Sequence, residues 1–124
     1  MAHAVVEKIA PDDRQRIDRS PADVRVTFSE AIQLLSPTDA SVVTATGESV
    51  VRGSAQVPAG NSHLLIIPLT RSLPAATYTT QWRVVSADGH IVGGASVFAV
   101  GDVPIGAPYL GGAGGASGPA ETSV

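Results

Sequence analysis

The chain has 124 residues, a formal net charge of −3 and no cysteine. That length suits one domain with a single core, and the lack of cysteine excludes a disulfide framework or a thiolate zinc site. The eight Lys and Arg residues are scattered, so no basic face marks a nucleic-acid partner, and no apolar run reaches the roughly 18–20 residues of a membrane-spanning helix.

At the N-terminus the chain lacks the basic start and apolar core of a secretory signal. Met1-Ala2 ahead of His3 reads either as an initiator placed before a mature exported domain or as the remnant of a cleaved leader. Residues 4–9 suit a first strand, and Pro11-Asp12-Asp13 a turn. The charged group of Arg14, Arg16 and Arg19 with Asp12, Asp13 and Asp18 reads as a solvated edge. Val24 to Glu30 alternates apolar and polar residues at period two, which predicts a strand with one buried face. Ala31–Leu35 is a short apolar piece ended by Ser36-Pro37, better suited to one helical turn or an irregular crossing than to a full helix.

Ser41–Thr46 and Val50–Val57 read as a hairpin turning at Gly47-Glu48, and Leu64–Ile67 as a mostly buried strand stopped by Pro68. Leu73-Pro74 marks the next turn. The longest pattern follows, with Tyr78, Thr80, Trp82 and Val84 on one face and Thr79, Gln81, Arg83 and Val85 on the other. Asp88-Gly89-His90 forms a turn, and Ser96–Val100 a last strand. Short strands at turn-marked intervals, without an amphipathic helix, predict an all-β sandwich or barrel. From residue 102 the composition shifts to Gly, Pro and Ala, which predicts a flexible linker over 102–124 after a β-sandwich domain over 3–101.

Three histidines are present: His3, His63 and His90. Asp88 and His90 stand two apart across a glycine. Gly89 is free to take a positive φ and turn a carboxylate and an imidazole toward a common point, a donor pair that suits a borderline divalent ion. By itself this motif is equally a common Asp-Gly turn followed by an exposed histidine. A mature chain beginning at His3 adds an amine and an imidazole from one residue. The resulting nitrogen-rich set with one oxygen suits the tetragonal preference of Cu(II). The plain alternative is an unstructured terminal histidine. His63, between Asn61-Ser62 and an apolar strand, reads as a solvent-facing hairpin residue. Trp82 and Tyr78 read as core.

From His3 to about Val100 the sequence resembles the CopC family of exported copper-binding proteins. The matching pieces are His3-Ala4, then Pro21 with Val24-Arg25-Val26-Thr27-Phe28-Ser29-Glu30. The most specific piece is Tyr78 with Trp82-Arg83-Val84-Val85-Ser86-Ala87-Asp88-Gly89-His90, followed by Val92, Gly93, Phe98 and Val100. The resemblance implies a seven-stranded, Greek-key β-sandwich, cupredoxin-like or immunoglobulin-like, that binds Cu(II) in the periplasm or outside the cell. It implies His3 (amine and imidazole), Asp88 and His90 as metal ligands, and Glu30 of the Phe-Ser-Glu motif as a carboxylate behind them. Some relatives hold Cu(I) in a Met-rich segment; Met1 is the only methionine here, so one Cu(II) site is expected. Other departures are Asp12-Asp13-Arg14-Gln15-Arg16, where small residues are usual, and Ala76, where glycine often stands. With Met1-Ala2 in place, His3 carries no free amine.

These readings lead to a non-enzymatic Cu(II)-binding protein for copper buffering, resistance or delivery. Its implied partner is a CopD-type membrane copper transporter, fused or separate. Two other classes stand beside it. A copper polysaccharide monooxygenase also begins with a histidine chelate, but a carboxylate ligand and few aromatic residues count against it. A metal-free immunoglobulin-like adhesion or linker module predicts that copper affinity ignores Asp88 and His90. No Gly-x-Ser-x-Gly elbow or paired-carboxylate motif supports hydrolysis.

Overall fold

The computed structural model describes residues 4–111; the His3 site expectation and the linker residues 112–124 lie outside them. Two sheets face each other. The first is antiparallel and runs β1 (Val6–Ala10), β3 (Asp23–Phe28), β6 (Leu64–Pro68). The second runs β2 (Gln15–Ile17), β8 (Ile91–Val100), β7 (Ala76–Ser86). On the far side of β7, β4 (Ile32–Gln33) and β5 (Ala40–Val43) lie end to end, opposite Val85–Ser86 and Thr79–Trp82 respectively. Only β2 runs parallel to its neighbour, with Gln15 opposite Phe98. The all-β class expected from the turn-punctuated strands is therefore what the chain adopts.

The alternation of β3 and β7 places the core. Val24, Val26 and Phe28 are fully buried from the first sheet, with Leu65 and Ile67 beside them. Tyr78, Trp82, Val84 and Phe98 meet them from the second. Tyr78 stacks on Phe98 with ring centroids 5.6 Å apart. Its hydroxyl donates to the Pro74 carbonyl at 2.6 Å, which pins the chain entering β7 in the manner of the tyrosine corner of β-sandwiches. Trp82 lies flat over its cross-strand partner Gly94, where a Cβ would come within 2.5 Å of the ring. A side chain at 94 would displace the indole.

Several local readings change. Ala31–Leu35 holds no helical turn but the two-residue strand β4, and the turn comes later as a 3-10 segment, Pro37–Asp39, capped by Ser36. Val50–Val57 is not a continuous return strand. It touches the sheets at separate points, through Val50 N–H to the Val42 carbonyl, Arg52 N–H to the Pro68 carbonyl and the bridges Val51–Leu69 and Gln56–Ile66, because Gly53, at φ +81°, breaks the pattern. The charged stretch after Asp13 contains strand β2, so the described residues form eight strand segments rather than seven. β1 and β2 lie on different sheets, in the manner of one edge strand that crosses between them.

Residues 102–111, assigned by composition to the linker, lie along the outer face of β7. Gly106 N–H donates to Thr77 Oγ1 at 2.9 Å, Tyr109 N–H to Thr79 Oγ1 at 2.8 Å, and Gln81 Nε2 to the Tyr109 carbonyl at 2.9 Å. Outward polar residues at period two thus form a ladder that receives the segment, while the Tyr109 ring covers Gly47.

Candidate metal centre

The β7–β8 hairpin closes through three residues, Ala87-Asp88-Gly89. Gly89 N–H donates to the Ser86 carbonyl at 2.9 Å and Ser86 N–H to the His90 carbonyl at 2.8 Å. Gly89 sits at φ +88°, as expected of the residue that closes a three-residue hairpin loop in the left-handed conformation. Asp88 organises this loop. Its Oδ1 accepts from the Ser86 hydroxyl and from His90 N–H, the latter at 3.1 Å.

The same carboxylate presents Oδ2 to His90 Nδ1 at 3.0 Å, with the Asp88 side chain 9% exposed and that of His90 64% exposed. Two donors at right angles on one metal, with bonds of about 2.0 Å, stand about 2.8 Å apart. The Asp88–His90 spacing is therefore compatible with adjacent positions on one ion. It is equally compatible with a carboxylate that orients an imidazole binding through its other nitrogen. Convergence comes from the Asp88 turn and its bonds to Ser86, not from an extended strand carrying positions 88 and 90 on one side. Ser86 is the contributor that sequence reading passed over; its place on the buried face of β7, in phase with Trp82 and Val84, is the signal that was available.

Glu30 and the first described residues, Ala4 and Val5, approach the same end. Ser29 is bonded in both directions to Val5, N–H to carbonyl at 2.8 Å and Val5 N–H to Oγ at 3.0 Å. Ala4 is buried at 1% exposure. Glu30 follows Ser29 in the bend after β3, half-buried. Two residues on, Ile32 pairs with Ser86 at the base of the Asp88 turn. The backbone thus brings the start of β1, the Glu30 bend and the Asp88–His90 turn to one end of the sandwich. Among the described residues, no group of three or more His, Asp or Glu side chains is placed to hold a metal ion, so Glu30 does not join Asp88 and His90 as a third ligand. His63 is exposed, with Nδ1 3.0 Å from the Phe28 carbonyl, which fixes its ring against the end of β3.

The CopC domain family model matches residues 6–101. The chain belongs to the CopC family. It is 30% identical over 100 residues to the copper transport protein CutJ of Bacillus subtilis (strain 168), covering 81% of this chain and 18% of CutJ. It therefore spans less than a fifth of that relative. Protein YobA of Escherichia coli (strain K12) is 30% identical over 99 residues, covering 80% of this chain and 79% of YobA. Among solved structures it is similar to CopC from Methylosinus trichosporium OB3b, with a TM-score of 0.69 and 28% identity over 79% of this chain and 93% of that one. PcoC, a methionine rich copper resistance protein from Escherichia coli, superposes with a TM-score of 0.64 over 80% of this chain and 99% of PcoC. At 24% identity that likeness is one of fold. Among the described residues no helix is long and apolar enough to cross a membrane.

Proposed function

We propose that this CopC-family domain is a Cu(II)-binding protein that buffers copper or delivers it, with no catalytic step of its own. The observation that supports this most directly is the meeting of three separate stretches at one end of the sandwich: the start of β1, the Glu30 bend and the Asp88-Gly89-His90 turn. Asp88 and His90 supply a carboxylate and an imidazole, and His3 adds an imidazole and, when it begins the chain, its amine. That set is nitrogen-rich with one oxygen, the donor chemistry Cu(II) favours. Glu30 acts from behind, as a hydrogen-bond acceptor that orients a ligand. A thioether Cu(I) site is not part of the proposal, since Met1 is the only methionine. An exported location and a CopD-type membrane transporter as receiver complete the reading. Similarity to CutJ, whose name describes copper transport, supports a role in delivery.

Asp88→Ala and His90→Ala separate this from a metal-free module. In competition titrations with a Cu(II) chelator, each substitution is expected to weaken binding at least about tenfold, the loss typical when a ligand or its orienting partner is removed. Affinity unchanged in both would leave the domain without a metal role.

A further inference from the structure

Strands β3 and β6 pair as a regular antiparallel ladder from Asp23–Pro68 to Thr27–Leu64, and the next pair in register is Phe28 with His63. A hydrogen-bonded pair of this kind exchanges both main-chain N–H···O bonds. Here one is made, from Phe28 N–H to the His63 carbonyl at 2.8 Å. The other donor is diverted: His63 N–H bonds Asn61 Oδ1 at 3.1 Å, and Asn61 N–H is itself held by the Pro58 carbonyl. The His63 imidazole takes the vacated place, with Nδ1 3.0 Å from the Phe28 carbonyl. A carbonyl only accepts, so in the neutral ring Nδ1 carries the proton.

This side-chain bond falls where the chain leaves the first sheet. Ser29-Glu30-Ala31 form the bend between Phe28 and Ile32, and Ile32 N–H donates to the Ser62 carbonyl at 2.8 Å. Two consecutive residues, Ser62 and His63, therefore clip both ends of a three-residue bend with Glu30 at its centre. On its other side the bend is tied to the start of β1 through Ser29 and Val5. Ile32 pairs in turn with Ser86, whose hydroxyl bonds Asp88 Oδ1. The clip thus stands one pairing away from the Asp88 turn.

We infer that His63 is a positioning residue for the metal end, its imidazole supplying the bond the ladder lacks and so fixing Glu30 relative to the Asp88 turn. This role rests on the copper reading proposed above and adds a residue outside its donor set. The requirement at position 63 is narrow. The donor must stand on the atom next to Cγ, where histidine carries Nδ1. Asparagine places an amide nitrogen there, whereas glutamine carries its amide one carbon further out.

The test uses the full chain. His63→Ala should weaken Cu(II) binding about three- to tenfold in chelator competition, the effect of one hydrogen bond that orients the site, and should alter the Cu(II) EPR signal. His63→Asn should restore both, and His63→Gln neither. In a Glu30→Gln background His63→Ala should have no further effect, because the two act through one contact. In the metal-free domain, His63→Ala should quicken amide exchange at Phe28 and Ile32 by a similar factor and leave Tyr78, in the opposite sheet, as it was. Copper affinity unchanged in His63→Ala overturns the inference, as does rescue by Gln equal to that by Asn. Additive losses from Glu30→Gln and His63→Ala overturn it too. Affinity indifferent to Asp88→Ala overturns the copper reading and the His63 role with it. Amide exchange unchanged in His63→Ala removes the clip itself, whatever the metal does.

Discussion

Asp88 serves two roles at once: its carboxylate closes the hairpin through Ser86 and His90 N–H and also faces the His90 ring. Asp88→Asn separates them, because the amide keeps an acceptor for the turn but loses the anionic oxygen. Copper affinity should fall with this substitution, while the melting temperature of the metal-free domain shifts by no more than the few degrees that about 1 kcal/mol produces. A large loss of apo stability with affinity retained would reverse that division. Tyr78 sets a second residue-scale expectation. Burial pushes its phenol above the ordinary value of about 10. The unfolded chain therefore loses this proton before the folded one does. Its contribution to stability is full below pH 10 and is lost as pH rises above it. Tyr78→Phe should cost about 1–3 kcal/mol, from leaving the Pro74 carbonyl without its donor, and should shrink the alkaline decline in denaturant midpoints. The Asp88-Gly89-His90 turn and the Tyr78 core position were legible in the sequence because each rests on local chemistry. The Ser86 contribution was legible only as phase: it continues the buried face of Trp82 and Val84, but nothing local marks its hydroxyl as a partner for Asp88.

Among elements, β3 follows its alternation most faithfully, with Val24, Val26 and Phe28 inside and Arg25 outside, while β7 keeps Tyr78, Trp82 and Val84 inside but also buries Thr79. β8 shows where alternation fails as a guide. Its first half contains Gly93 and Gly94, which weaken any strand pattern, yet it pairs with β7 from Ile91 onward. Gly94 is present because the Trp82 ring lies against it. Gly94→Ala should destabilise the domain by about 1–3 kcal/mol through overpacking, read from a shift in urea midpoint without change in slope. A neutral result would mean that the indole has another position to occupy. The stretch from Asp102 to Gly111 was read by composition, which describes solvation but not the Thr77, Thr79 and Gln81 ladder that receives it. Short β2 and β4 were hidden for a related reason. Two or three residues provide no period to detect, and their pairing with β8 and β7 is set by tertiary packing.

At the scale of the whole molecule, the two-sheet closure makes neighbours of segments far apart in the chain. Val5 is bonded to Ser29, and Ile32 is paired with Ser86 beside the Asp88 turn. No period or spacing within either segment announces this; in the sequence it was accessible only through resemblance to a family. If copper is held across these ends, imidazole and amine donors must be deprotonated to bind, so Cu(II) affinity should fall as pH drops below about 6. Affinity that stayed level to about pH 4 would require carboxylate ligation alone. The most direct test is pulsed EPR of the Cu(II)-loaded chain beginning at His3, counting coordinated imidazoles. The account predicts two, falling to one in His3→Ala and to one in His90→Ala. A count unchanged by either substitution would contradict it.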